Sequence, residues 1–368
     1  MAPRSFRTVL PARAIRSARR GEASWQQPLA VIDALRARAL RILGPFAPEL
    51  LRDRERRVAT YGLVAIALAF AMTFAAPMLL LAVGPIVLGA PHLLADVRYL
   101  VARHGLHRRA GFWLCVAGPS CAAFLHPHAS VSMFAVVGAA LVARASIVPR
   151  AAVALAGLAL VLGCVRLGAV ADVVLAHLHN AIAVALFCLW SRRRSRLHWI
   201  VVGAFVLGTA AIAFGALDDG PVKRMSQDGV LDAELLVETL APVSDPVLSV
   251  RAVLVFAFAQ SVHYAVWIRL VPEEDRPRTG LRSFASSLRA LAVDVGAPLV
   301  VVASAVTAGL VAWACVSLAD ARDGYLRLAV FHGPLELGAA TLLVLEQRQL
   351  RSREGPRPPA WLETSGKS

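Results

Sequence analysis

Charge is scarce in this chain. Only 17% of its 368 residues are Asp, Glu, Lys or Arg, while 58% are hydrophobic and the mean hydropathy is +0.62. That balance excludes an ordinary soluble globular domain and places the chain among integral membrane proteins. Grouped cysteine is lacking as well. Cys115, Cys121, Cys164, Cys188 and Cys315 all lie in apolar stretches and form no C-x-x-C pair, so they read as packing residues rather than a disulfide framework or a cysteine metal site. No acid precedes Glu22, although Arg4, Arg7, Arg13, Arg16, Arg19 and Arg20 do. With no apolar segment of the secretory type after it, this start is not a secretory signal. It has the look of a transit peptide, or of a disordered basic tail drawn to anionic lipid, and the second reading is preferred. Residues 29–51 follow with a helix-like pattern that has arginines on one side, which predicts an amphipathic helix at the cytoplasmic interface.

The net charge of +15 invites a nucleic-acid partner, but the basic residues collect at the ends of apolar runs, where cytoplasmic loops carry them, and that partner is excluded. Apolar runs fall at about 58–76, 78–101, 110–125, 129–148, 151–171, 172–190, 199–216, 248–271, 291–319 and 325–346. A span needs roughly 20 apolar residues. The expectation is therefore an all-α polytopic membrane bundle of nine to ten helices. Residues 1–57 form a basic tail and interfacial helix, 58–346 the bundle with an external loop at 217–247, and 347–368 a disordered C-terminal tail. With residues before 58 inside, the basic gaps at 103–109, 144–150, 191–196 and 273–283 all fall inside, while Asp218, Asp219, Asp228, Asp232, Glu234 and Glu238 fall outside. The positive-inside rule is satisfied with both termini cytoplasmic, as in a bacterial inner membrane. The VLDAELLVETL stretch of the external loop predicts a short helix capping the bundle.

Four histidines interrupt the apolar runs: His92, His179, His263 and His332, each on a different span. Imidazole is expensive in hydrocarbon and faces the bundle interior or a partner. Four of them on four helices predict one buried site, most simply a metal. All four helices run from outside to inside. His179 and His332 fall on the outer side of the midplane and His92 and His263 on the inner side, a stagger of roughly 10 Å at 1.5 Å per residue. Asp96 and Glu336 each follow a histidine by four residues and so share its helix face. They are expected, with Gln260 three residues before His263, to support the ligands from outside the coordination sphere. His177 is expected to be structural, being two residues from His179, and His104, His107, His126, His128 and His198 are assigned to interfaces.

Imidazole suits iron, copper, zinc and nickel. Without cysteine nearby, four imidazoles fit a redox iron, Fe(II), better than structural zinc. A site at bilayer depth would meet a lipid-soluble substrate. Gly89-Ala90-Pro91-His92-Leu93-Leu94-Ala95-Asp96 reads G-x-P-H-x-x-x-D. This resembles the motif at the first histidine of the bacterial membrane β-carotene dioxygenases of the Brp/Blh type. The resemblance implies an all-helical fold, a non-haem iron held by histidines from several spans, and dioxygen-dependent cleavage of a carotenoid. Leu178-His179-Asn180 is a loose counterpart of that family's second histidine motif, and Gln260 to Trp267 resembles its later C-L-W-H-S-x-R-H. There Trp267 stands in place of a second histidine, and His332 could supply the replacement ligand. Two other readings stay open: a haem protein with the histidines as two axial pairs, and a transporter with a histidine–carboxylate proton relay.

Overall fold

A computed structural model describes residues 27–39, 53–190, 196–218, 233–241, 245–274 and 283–353, with isolated positions between them. The arginine-rich start before residue 27, the basic run at 191–195, most of the external loop and the residues after 353 lie outside the described residues. Among those described there is helix and no strand. The elements are α1 (27–39), α2 (Arg54–Ala75), α3 (Pro77–Ala102), α4 (Ala110–Ala122), α5 (Ala129–Val142), α6 (Ile147–Leu167) and α7 (Ala169–Trp190). After them come α8 (Arg196–Ala213), α9 (Ala233–Leu240), α10 (Pro246–Glu273), α11 (Phe284–Val295), α12 (Ala297–Ala314), α13 (Leu318–Ala329) and α14 (His332–Arg353). Eight segments are long and apolar enough to cross a membrane: α2, α3, α6, α7, α8, α10, α12 and the pair α13–α14 taken together. The chain is thus an all-α polytopic helix bundle. α4 and α5 are apolar but shorter.

Polar side chains sort the helix ends into two faces. On one, Arg57 pairs with Glu273 at 2.9 Å, Arg98 with Asp294 at 2.7 Å and Arg109 with Glu346 at 2.7 Å, and the Arg144 amide donates to Glu346 at 3.0 Å. On the other, His128 meets Asp172 at 3.2 Å, His177 bonds the Leu240 carbonyl at 2.8 Å, and the Arg251 Nε donates to Asp218 at 3.0 Å. None of these pairs crosses between the sets. The chain therefore changes face at each apolar segment, α4 and α5 included, and α3, α7, α10 and α13–α14 all run toward the basic face. His177, expected to be structural or interfacial, joins α7 to the end of α9, the helix predicted in the external loop.

Local chemistry sets the breaks. Asp53 caps α2 by accepting from the amides of Glu55 and Arg56, and Asp245 caps α10 ahead of Pro246. Gly168, at φ +55°, separates α6 from α7, the junction expected near Arg166 and Asp172. Gly296, at φ +89°, splits the expected 291–319 span into amphipathic α11 and apolar α12. α11 carries one polar face and docks on α1, where the Phe284 amide donates to Asp33 at 3.0 Å and Arg36 lies over the Phe284 ring. Val31, Ile32 and Leu35 of α1 remain exposed, which suits a helix lying on a membrane surface. The expected 325–346 span is also two helices, broken at Val330–Phe331, because Pro334 has no N–H for the Val330 carbonyl. α14 runs past the expected boundary at 346 to Arg353.

α3 bends three times in character: α-helical to Gly84, π-helical over Pro85–Gly89, α-helical to Asp96 and π-helical again over Val97–Ala102. Pro85 leaves the carbonyl of Leu81 without its helical donor. The Arg322 guanidinium of α13 fills that vacancy at 3.2 Å, so α13 is locked to α3 beside His92. Further π turns occur at Trp113–Ala117 and Val266–Leu270. Such turns cluster at functional sites because they reaim side chains within a helix.

Candidate metal centre

The four histidines meet. Ring centroids lie 4.5 Å apart for His179–His332, 4.7 Å for His179–His263, 4.9 Å for His92–His332 and 5.0 Å for His92–His263. The stagger expected from straight helices is absent: His179 and His263, from opposite sides of the expected midplane, meet at 4.7 Å, as do His92 and His332 at 4.9 Å. Two groups of possible ligand atoms form, His92 with His263 and His332, and His179 with His263 and Glu336. Within each group the atoms lie within 4.8 Å of one another.

Three of the four rings are oriented by a second contact, while neither nitrogen of His263 has a hydrogen-bond partner among the described residues. His92 Nδ1 lies 2.7 Å from the Gly89 carbonyl, and His332 Nδ1 is hydrogen-bonded to the Ala329 carbonyl. A carbonyl only accepts, so both Nδ1 atoms carry the proton and both Nε2 atoms present lone pairs. In both cases the carbonyl lies three residues before the histidine. His179 Nδ1 lies 3.2 Å from Glu336 Oε2, and its Nε2 lies 2.8 Å from His332 Nε2.

These contacts decide the proton count. With its proton on Nδ1, His332 Nε2 can only accept, so without a cation His179 must donate from Nε2. Its Nδ1 would then turn a lone pair toward the Glu336 carboxylate, a repulsive contact unless another proton is added. A cation held by both Nε2 lone pairs would remove the conflict, and so would a proton on the Glu336 carboxyl, which lies 3.2 Å from His179 Nδ1.

Charge agrees with that count. Asp96 and Glu336 are fully buried, and among the described residues neither pairs with Arg or Lys. Neither oxygen of Asp96 has a hydrogen-bond partner, and Asp96 Oδ2 lies 3.5 Å from His92 Nε2. Burying one uncompensated carboxylate costs several kcal/mol, and a cation offsets it. Two carboxylates beside four neutral imidazoles match a divalent ion. The donors are imidazole nitrogen and carboxylate oxygen, with no cysteine in either group, a set suited to iron and its neighbours in the first transition row.

The expected supporting roles are redistributed. Glu336 contacts His179 of another helix rather than His332 of its own, and it is close enough to count among the ligands. Asp96 sits at the ligating edge of His92, since Nδ1 is already held by Gly89. Gln260 lines a cavity beside the site and bonds no histidine among the described residues. Trp267, in the place of the family's second histidine, is wholly buried and turns its indole N–H to Glu336. His198, expected at an interface, is buried and stacks on Phe187. Two tyrosines complete the surround. Tyr325 Oη lies 3.5 Å from His92 Nδ1, and Tyr264, hydrogen-bonded to Tyr325, packs against His92 with ring centroids 4.9 Å apart and planes tilted by 54°. Tyr325 escaped notice because its helix reads as part of a span; the four polar residues of ARDGYLR on an amphipathic helix were the available signal.

A cavity of about 250 Å³ leads to the histidines from the face that carries Pro127, His128 and Asp172. Its wall is mostly apolar, with Leu175, Leu326, Val330 and Leu337 among the lining residues, and His179, His263 and His332 border it. Compared with protein-family models, curated proteins and solved structures, the chain has no match.

Proposed function

We propose that this chain is an integral membrane oxygenase of a bacterial inner membrane, holding a non-haem ferrous ion on His92, His179, His263 and His332. Its substrate class is a carotenoid or another lipid-soluble polyene, oxidised or cleaved with dioxygen. The observation that carries the reading is the convergence of four imidazoles from four helices on two buried carboxylates that have no Arg or Lys partner among the described residues. Bound iron supplies the redox chemistry that dioxygen needs in order to react with a double bond. The chain's own residues do the rest. Gly89 and Ala329 carbonyls hold two imidazoles in the ligating tautomer. Asp96 and Glu336 balance the divalent charge. The apolar cavity admits a polyene and keeps bulk water from the site. Rings only 4.5–5.0 Å apart leave no space for a porphyrin between either pair, which favours a bare ion over haem.

Iron analysis of the purified full chain, after anaerobic loading with ferrous ion, tests this. About one iron per chain is expected, falling sharply in each His→Ala variant, together with loss of colour from carotenoid-loaded vesicles under air. Protein that folds but binds no iron overturns the reading. The two buried carboxylates would also serve a proton relay; iron-free protein that carries protons across vesicle membranes would favour that function instead.

A further inference from the structure

A second, larger cavity lies elsewhere, on the basic face. It measures about 940 Å³, at the upper end for ligand pockets, and is bounded by the end of α3, the 103–109 loop, α4, the end of α10, and α11 running into α12. Its inner wall is apolar, with Val97, Val101, Val271 and Leu299. Its rim is basic, with the guanidiniums of Arg103 and Arg108 beside the imidazoles of His104 and His107. Asp294 is the acid at this rim, and it is shared by Arg98 at 2.7 Å and Arg103 at 3.0 Å. Three guanidiniums against one carboxylate leave two positive charges. His107 Nδ1 is buried and has no hydrogen-bond partner among the described residues. Trp113 stands half exposed at the mouth with its indole N–H on the His107 carbonyl at 2.8 Å, the pose of an aromatic at a membrane interface.

We infer that this cavity binds one anionic phospholipid from the leaflet on the basic face, with its phosphate at Arg108 and His107 and its acyl chains along the valine wall. The site is separate from the histidine centre. Its charge is complementary to an acidic headgroup, its apolar half is continuous with the bilayer core, and amphipathic α11 forms one side at the level where headgroups lie. A water-soluble phosphate would use the rim and leave the apolar half unfilled.

The test is native mass spectrometry of the full chain, delipidated in neutral detergent, titrated with phosphatidylglycerol or with phosphatidylcholine of the same acyl chains. One phosphatidylglycerol is expected to be retained in preference to phosphatidylcholine. Arg108→Gln should weaken that retention about fivefold, the effect of one basic residue near an anionic surface, and Arg108→Glu should weaken it further. Arg108 is exposed, so the fold is not at stake. Arg56→Gln, an exposed arginine away from the cavity, should leave retention unchanged. Equal retention of the two lipids overturns the inference. So does an Arg108 variant no weaker than Arg56→Gln, or displacement of the lipid by millimolar inorganic phosphate alone.

Discussion

Gly89→Ala offers a demanding test, because Gly89 touches the candidate centre through two contacts at once. A methyl group on its Cα would lie 2.2 Å from Cζ, 2.4 Å from Oη and 2.5 Å from Cε2 of Tyr325. Carbon atoms rest about 3.5 Å apart, so the ring must retreat by roughly 1.3 Å or α3 must move. Tyr325 is buried and its helix is tied to α3 through Arg322, so neither shift is free. Overpacking of this kind destabilises by about 1–3 kcal/mol. The same change tilts the Gly89 carbonyl that holds His92 Nδ1 at 2.7 Å and pushes away the Tyr325 hydroxyl at 3.5 Å. Loss of such outer support costs about 10–100-fold in metal affinity. Ferrous affinity, measured by chelator competition, should fall within that range while unfolding in micelles shifts to lower temperature. Gly163→Ala is the control: nothing lies within 4 Å of its added methyl, and stability should change by no more than about 0.5–1 kcal/mol, in the favourable direction. A Gly89→Ala protein that binds iron like the parent and melts with Gly163→Ala would refute both the packing and the ligand-orienting argument.

Other variants separate fold from site. Gly138→Ala places a methyl 1.7 Å from the backbone oxygen of Cys115; α4 and α5 must part, so yield and melting temperature should drop more than for Gly89→Ala, yet iron per folded chain should be unchanged. Glu273→Gln strands buried Arg57 and should cost about 3–5 kcal/mol in unfolding, whereas Arg56→Gln breaks an exposed pair and should cost under about 1 kcal/mol. Asp294 is opposed by partial burial, but hydrogen bonds from Arg98 and Arg103 outweigh it and hold its pKa below the usual carboxylate value. A depressed folded pKa means the stabilisation is complete above the unfolded value of about 3.9 and lost as pH falls through the folded one. Melting temperatures of the parent and Asp294→Asn should therefore differ by a constant from pH 7 down to about 4 and converge below it; a gap that widens in acid would contradict the sign.

Much of the bundle was legible because its signals are local. Long apolar runs mark spans, and arginines at their ends mark one face; the pairs Arg57–Glu273, Arg109–Glu346 and His128–Asp172 join residues that loop charge had already assigned to common faces. Where the reading departed, a backbone irregularity intervened. Residues 284–295 carry enough leucine, alanine and valine to blend into the run that follows, and only the φ of +89° at Gly296 divides an interfacial helix from a crossing one. Val330 and Phe331 are as apolar as their neighbours, and the break there follows from the absent N–H of Pro334.

The histidine site shows the same division between chemistry and geometry. That four imidazoles in apolar runs belong together is a matter of solvation and is readable from residue type and depth. Which atoms face which is not. An i, i+4 spacing puts Glu336 on the face of His332, but that face also looks at α7, and the carboxylate settles on His179 because His332 Nδ1 is already held by its own backbone. Straight-helix counting put His92 and His332 at different depths, yet their rings lie 4.9 Å apart, beside the π turn at 85–89 and the two-residue break at 330–331. Those irregularities sit at Pro85, Pro91 and Pro334, each within seven residues of a histidine. The prolines do more than permit broken helices. Pro85 frees the carbonyl of Leu81, to which Arg322 docks α13 against α3, and the Nδ1 protons of His92 and His332 each lie on a backbone oxygen three residues earlier. Two Nε2 lone pairs are then committed to the interior whether or not a cation arrives.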